Sequence, residues 1–205
     1  MIYHKYKLVF VPIAKNASTS VHYYLYNKTD HPNNHHSHAT ITQLYDLNDS
    51  ELLSTYYSFA IVRNPYNRLW SAWKHLYMND QHSEEDGMVS RFHRFVRNDL
   101  HKMINSVDDR IDGYWHIKPQ SDYITFNRKT ILVDKILHLE TLHSDWIEFA
   151  DWYDSLNIVP YKMLRNMHVT HTSVQIEDDP YNDSEIKEIV YNIYKNDFEL
   201  FGYNQ

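Results

Sequence analysis

The 205-residue chain contains no cysteine, so its fold needs no disulfide and offers neither a cysteine nucleophile nor a cysteine-ligated zinc site. It has only three glycines, Gly87, Gly113 and Gly202, and none of them lies near the lysine at position 15. A Walker A loop needs glycines around the bound phosphates, so this scarcity disfavours ATP or GTP hydrolysis. No apolar run approaches the ~20 residues that a membrane-spanning helix requires.

Basic residues are also comparatively few, because 20 lysines and arginines face 27 acidic residues and leave a net charge of −7. A general nucleic-acid-binding protein shows a basic surface, so we expect no nucleic-acid partner. The chain enters its first strand almost at once and shows no signal peptide, so we expect a soluble, cytoplasmic protein. Its hydrophobic content of 42% and its length predict one folded domain over residues 1–205.

Strands alternate with helices along the chain, which predicts an α/β fold with a central parallel sheet flanked by helices. Short apolar runs rich in β-forming residues predict buried strands at 7–11, 57–62 and 131–139. Caps and apolar spacing predict helices at 18–26, 65–77, 88–104, from 140 onward and at 184–198, with Ser184 as a cap. Shorter helical turns are predicted within 42–56 and 119–124, and loops at 27–38 and 157–179.

Two strand–turn–helix segments carry clusters of cationic and hydroxyl side chains. The first cluster comprises Lys15, Ser18, Thr19 and Ser20, and the second comprises Arg63, Arg68 and Ser71. A helix N-terminus offers free N–H groups and a dipole that favours negative charge, so each turn can hold one phosphate-like anion. Two such turns can grip a ligand that carries anionic groups at both ends.

The sequences of these turns resemble those of a known enzyme family. The second reads Arg63-Asn-Pro-Tyr-Asn-Arg-Leu-Trp-Ser71, and the first reads Ala14-Lys-Asn-Ala-Ser-Thr-Ser20. Both are similar to motifs of the carbohydrate (Golgi-type) sulfotransferases that use 3′-phosphoadenosine-5′-phosphosulfate (PAPS), although Ala14 stands where that family usually has proline. Residues 115–124 and 193–203 also resemble family segments. The resemblance implies a P-loop-like three-layer fold.

The resemblance also implies roles for both turns. The first turn would bind the 5′-phosphosulfate through Lys15, Asn16, Ala17, Ser18, Thr19 and Ser20. Lys15 would also neutralise charge on the leaving phosphate, as phosphoryl-transfer chemistry requires by analogy. The second turn would bind the 3′-phosphate through Arg63 and Ser71, while Arg68 would either join them or pair with a carboxylate. In the alternative interpretation, Lys15 is a surface residue and the hydroxyls only cap a helix.

An acceptor hydroxyl needs a general base, and histidine suits that task near neutral pH. Among 15 histidines, His38 is the first candidate, because related enzymes often place a histidine before a short threonine-containing stretch. His116 is the second candidate, although it could instead be a core histidine. With His35 and His36, His38 could also form a metal site or be solvated, and we expect no metal. Gln120 and Asp122 are candidates for contacting the acceptor.

Together these features predict a PAPS-dependent sulfotransferase that sulfates a hydroxyl of a saccharide-containing acceptor. The second product would be adenosine 3′,5′-bisphosphate. Two alternatives stay open, a P-loop-like small-molecule kinase and a non-catalytic nucleotide-binding protein. Acceptor pockets are built from variable loops, so the motifs do not name the acceptor.

Overall fold

A sheet of mostly parallel strands organises the computed structural model, which describes residues 1–25, 38–77, 87–106, 113–160, 163 and 179–205. The chain divides into two compact units. The first comprises Met1–Arg63 and Gln120–His171, and the second comprises Asn64–Pro119 and Thr172–Gln205. The sheet belongs to the first unit. A single domain over residues 1–205 stays a prediction.

Short apolar runs form the strands of the first unit. They are β1 (Ile2–Tyr3), β2 (Leu8–Val11), β3 (Tyr57–Val62), β4 (Thr125–Phe126), β5 (Thr130–Ile131) and β6 (Lys135–His138). The sheet has the order β1-β2-β3-β6, in which β1 is antiparallel to β2 and the other pairs are parallel. All four residues of β2 are buried, as expected for a strand covered on both faces. Because β2, β3 and β6 run in parallel, the loops that follow them leave the same edge of the sheet.

The described residues of the first unit form five α-helices, two of which pack against the sheet in one buried cluster. The five helices are α1 (Ser18–Leu25), α2 (Ile41–Asp46), α3 (Ser50–Leu53), α8 (Ser121–Ile124) and α9 (Leu142–Ser155). Val21 of α1 and Trp146 of α9 share a buried cluster with Phe10 and Phe59 of the sheet. The rings of Phe10 and Phe59 are stacked, with their centroids 4.9 Å apart. Burial of each such side chain contributes about 1.5–3 kcal/mol, so the cluster holds α1 against the strand that precedes it.

The second unit is helical. Its helices are α4 (Pro65–Tyr77), α5 (Met88–Phe95), α6 (His101–Asn105), α7 (Tyr114–Ile117) and α10 (Ser184–Phe201), with a π-helical segment (Val96–Leu100) between α5 and α6. Aromatic side chains dominate its core, where the rings of Trp70 and Trp73 stack at 5.2 Å and Phe92 meets both edge-on. The hydroxyl of Tyr194 donates a 2.6 Å hydrogen bond to the Ile117 carbonyl, which joins α10 to α7.

The structure confirms the α/β class with a central, mostly parallel sheet flanked by helices. The strand at 57–62 and the helix at 65–77 have the predicted bounds. The predicted loops at 27–38 and 157–179 lie largely outside the described residues. No helix in the described part of the chain is both long and apolar enough to cross a lipid bilayer.

Three regions differ in detail from the sequence predictions, although 88–104 is helical throughout as predicted. The region 131–139, predicted as one strand, contains the end of the β4–β5 hairpin and then β6. This hairpin turns through Asn127 and Arg128, which both have positive φ, as a type I′ turn requires. The cap of α10 is Asp183, whose carboxylate accepts from the Glu185 and Ile186 amides, and not Ser184. The helix predicted at 88–104 is interrupted by the π-helical segment.

A buried phenol makes the fold sensitive to alkali. The Tyr153 hydroxyl donates to the Tyr6 carbonyl, and burial, helped by Asp154, raises the pKa of Tyr153 to about 12. A tyrosine in the unfolded chain has a pKa of about 10. The contribution of neutral Tyr153 to the free energy of unfolding is therefore fully present below pH ~10 and is lost as the pH rises towards 12.

We expect Tyr153→Phe to reduce the loss of unfolding free energy at alkaline pH, measured by urea titration at pH 8 and 10.5. Tyr23→Phe, at an exposed position, is the matched control, and an unchanged alkaline loss in Tyr153→Phe would contradict the account.

Candidate functional site

The loop between β2 and α1 has an unusual backbone conformation. Lys15 and Ala17 have φ of 68° and 58°, whereas Asn16 between them is not in the positive-φ region. Turns with left-handed residues can direct successive N–H groups towards one side and so form a concavity that suits an anion. Phosphate loops commonly use glycine for such positions, but this loop contains none. Each left-handed non-glycine residue costs about 1–2 kcal/mol, so other contacts must fix the loop.

The first turn of α1 has free hydrogen-bonding groups within the part of the chain that the structure describes. Its first helical hydrogen bond runs from the Val21 amide to the Ala17 carbonyl, at 3.1 Å. The N–H and hydroxyl groups of Ser18, Thr19 and Ser20 make no hydrogen bond to any residue that the structure describes. The helix dipole places partial positive charge here, so the arrangement suits an anion that accepts several hydrogen bonds.

A buried amide fixes this loop to the sheet. Asn16 is fully buried, and its Nδ2 donates to the Ile61 carbonyl at 2.8 Å and to Oε1 of Gln120 at 2.6 Å. Within the described residues, Oδ1 of Asn16 is buried without a hydrogen-bond partner. The Asn16 side chain therefore holds the loop against the sheet, and a role of Asn16 in ligand binding stays a prediction.

Arg63 directly follows β3 and contacts the first turn. Its Nη1 donates to the Lys15 carbonyl at 3.3 Å, although 48 positions separate the two residues. Gln120 binds both backbone polar groups of Arg63. The Arg63 N–H donates to Gln120 Oε1 at 2.9 Å, and the Arg63 carbonyl accepts from Gln120 Nε2 at 2.8 Å. The structure thus brings together Lys15, Arg63 and the N-terminus of α1 at the edge where the adjacent parallel strands β2 and β3 end.

Arg68 and Ser71 lie one turn apart on α4, in the second unit. The Asn64 side chain caps this helix by accepting from the Tyr66 amide at 3.0 Å, and Pro65 occupies the first helical position. Arg68 is only 2% exposed, whereas Ser71 is partly buried. Their assignment to the 3′-phosphate stays a prediction.

His38 lies beside the loop that follows β2. Its Nδ1 is 3.4 Å from the Pro12 carbonyl oxygen, and the next residues start α2 through a capping box between Thr40 and Gln43. Because a carbonyl only accepts, a hydrogen bond here requires a proton on Nδ1, and Nε2 is the nitrogen that can then act as a base in a neutral ring. His35 and His36 lie outside the described residues.

His116 belongs to α7 of the second unit. Its ring centroid is 4.8 Å from that of His75, and its Nδ1 is buried. This environment is that of a packed histidine, and a catalytic role for His116 stays a prediction. The described residues hold no group of three or more histidines, aspartates or glutamates that could bind a metal ion.

The two candidate acceptor contacts have partners within the protein. Asp122 forms a bidentate pair with Arg128, at 2.6 and 3.0 Å, and its side chain is 16% exposed. Gln120 is fully buried and bonds to Asn16 and Arg63. Acceptor contact by either residue stays a prediction. The sequence did not indicate the link from Gln120 to both turns, since nothing in a single sequence pairs residues so far apart.

Comparison with known proteins agrees with this geometry. A model of the sulfotransferase family matches residues 1–204, which is nearly the whole chain. No curated protein and no solved structure matches it. Members of this family take the sulfuryl group from PAPS and give it to a hydroxyl-bearing acceptor. The chain therefore belongs to the sulfotransferase family and is a PAPS-dependent sulfotransferase.

Proposed function

We propose that this enzyme transfers the sulfuryl group of PAPS to a hydroxyl of a saccharide-containing acceptor. Lys15 and the N-terminus of α1 hold the 5′-phosphosulfate, and Arg63, with Arg68 and Ser71 of the family motif, holds the 3′-phosphate. One observation carries the proposal, namely the contact of the Arg63 guanidinium with the Lys15 carbonyl beside the open amides of α1. A ligand with an anionic group at each end has the chemistry that both turns require.

The transfer needs positioning and charge neutralisation more than covalent help. The acceptor oxygen bonds to sulfur as the bond from sulfur to the bridging phosphate oxygen breaks, and the electron pair stays with the phosphate. Lys15 and the α1 amides neutralise the charge that develops there. Nε2 of His38 takes the proton of the acceptor hydroxyl, and the Nδ1 contact with Pro12 keeps the ring in the basic tautomer.

The saccharide acceptor rests on the resemblance to carbohydrate sulfotransferases. A net charge of −7 disfavours long polyanionic glycans, so we propose a neutral or weakly charged saccharide-containing acceptor. We also propose that the enzyme acts in the cytoplasm as a single domain and needs no metal. Lys15 and the open amides of α1 supply the positive charge that a metal gives a Mg²⁺-dependent phosphotransferase.

Alanine substitution of Arg63 and of Lys15 should distinguish a role in nucleotide binding from a role in sulfuryl transfer. We expect Arg63→Ala to weaken adenosine 3′,5′-bisphosphate binding about 10- to 100-fold, since a hydrogen bond to a charged group contributes about 1.5–3 kcal/mol. Lys15→Ala should lower kcat about 10²–10³-fold while nucleotide affinity stays within a few-fold of the wild type. Calorimetry and turnover with PAPS measure the two effects. Lys129→Ala, in the exposed turn of the β4–β5 hairpin, is the matched control.

Wild-type affinity in Arg63→Ala together with wild-type kcat in Lys15→Ala would overturn the site assignment. Bisphosphate binding that responds to Arg63→Ala, without turnover of PAPS by the wild type on any of a panel of hydroxyl acceptors, would favour a non-catalytic nucleotide-binding protein. Tighter binding of ATP than of the bisphosphate would favour the kinase alternative.

The base assignment has a separate test. We expect His38→Ala to lower kcat about 10²–10⁴-fold, the usual contribution of a general base, with little change in nucleotide affinity. The acidic limb of the kcat profile against pH should disappear with the imidazole. His143→Ala, at an exposed position on α9, is the control. If His38→Ala keeps its turnover and its acidic limb, while His116→Ala loses both, the base is His116.

A further inference from the structure

A buried glutamine joins the two turns of the site. Gln120 Oε1 accepts from the Asn16 side chain at 2.6 Å and from the Arg63 amide at 2.9 Å, while its Nε2 donates to the Arg63 carbonyl at 2.8 Å. Gln120 and Asn16 are both fully buried. Since Asn16 Nδ2 donates to two oxygens and Gln120 bonds to both a donor and an acceptor, these contacts also fix the orientation of both amides.

These bonds begin where the pairing of β2 with β3 ends, although β3 stays paired with β6 as far as Val62. The pairing of β2 with β3 stops at Val11 opposite Ala60, so β2 offers no further partner to the backbone beyond that point. There the Ile61 carbonyl accepts from Asn16, and both backbone groups of Arg63 bond to Gln120. The side-chain amides of Asn16 and Gln120 thus supply hydrogen bonds to the backbone of Ile61 and Arg63, which β2 does not reach.

The hydrogen bonds of Gln120 constrain the geometry of both turns. Gln120 holds both peptide groups that flank the Arg63 Cα, so it sets the direction in which the guanidinium leaves the backbone. Through the same oxygen it holds Asn16, which lies between the two left-handed residues of the first turn. A buried donor that loses its acceptor destabilises the protein, so these hydrogen bonds favour one arrangement of the two turns.

We propose that Gln120 is a positioning residue that fixes the separation between the two anion-binding turns. That separation selects nucleotides carrying both a 5′- and a 3′-anionic group over those carrying the 5′-group alone. The proposal rests on the proposed function, in which Arg63 binds the 3′-phosphate. Gln120 acts through Arg63 and Asn16 and does not itself need to touch the nucleotide.

The test compares two ligands that differ only in the 3′-phosphate, adenosine 3′,5′-bisphosphate and adenosine 5′-monophosphate. Calorimetry gives the ratio of their affinities for the wild type, Arg63→Ala, Gln120→Met and the double variant. Methionine keeps the length of glutamine and removes all three hydrogen bonds. We expect Gln120→Met to lower the preference for the bisphosphate about fivefold or more, because a small misplacement of a binding group weakens its contact strongly. The affinity ratio of the double variant should match that of Arg63→Ala within about twofold, since both substitutions disrupt the same interaction, that of Arg63 with the 3′-phosphate.

A control variant separates positioning from loss of stability. Ser58→Ala removes the two hydrogen bonds that the buried Ser58 hydroxyl makes with Asp134 near the other end of β3, and we expect it to leave the affinity ratio unchanged. If Gln120→Met does not fold, Gln120→Glu carries the same prediction, because it keeps the side-chain shape but loses the donor to the Arg63 carbonyl.

The outcomes distinguish the two proposals. If Arg63→Ala lowers the affinity ratio but neither Gln120 variant does, the positioning role is wrong while the proposed function stands. The positioning role is also wrong if the two substitutions have additive effects on the affinity ratio in the double variant. It is likewise wrong if Gln120→Met weakens the binding of both nucleotides equally. An affinity ratio unchanged by Arg63→Ala itself would instead refute the assignment of Arg63 to the 3′-phosphate.

Discussion

Parallel pairing of β2 with β3 is the constraint on which the proposed site depends. It brings Lys15 and Arg63 to one edge of the sheet, and a guanidinium-to-carbonyl hydrogen bond of 3.3 Å joins them across 48 positions of sequence. The hydrophobic cluster beneath holds α1 in place, so its open amides face the same edge. Because parallel strands end at one edge, the topology itself brings together the two turns that we propose to bind anions.

Polar burial gives the site its fixed shape. The loop after β2 adopts left-handed backbone at Lys15 and Ala17 without a glycine, and such residues persist only where surrounding contacts determine the backbone. Asn16 and Gln120 supply these contacts from fully buried positions. Hydrogen-bond donors that are already held in place stabilise the negative charge that develops on a leaving phosphate. A loop held by buried contacts is suited to present such donors.

Much of this arrangement follows from the sequence. The apolar runs of β2 and β3, the proline at the start of α4 and the motif residues predicted both strand–turn–helix segments, whereas the contact of Arg63 with Lys15 is seen only in the structure. The role of Gln120 could not be predicted, because it depends on a contact across 57 positions that no periodicity encodes. The left-handed conformation at Ala17 also lacks a sequence signal, since alanine has no preference for positive φ.

The central claim is that two turns grip one nucleotide by its two anionic ends. Calorimetric titration of the wild-type protein with adenosine 3′,5′-bisphosphate and, separately, with ATP, both without added metal, tests this claim most directly. The account predicts tight binding of the bisphosphate and much weaker binding of ATP, which has no 3′-phosphate for Arg63. Equal binding of the two nucleotides, a preference for ATP, or no binding of the bisphosphate would contradict it.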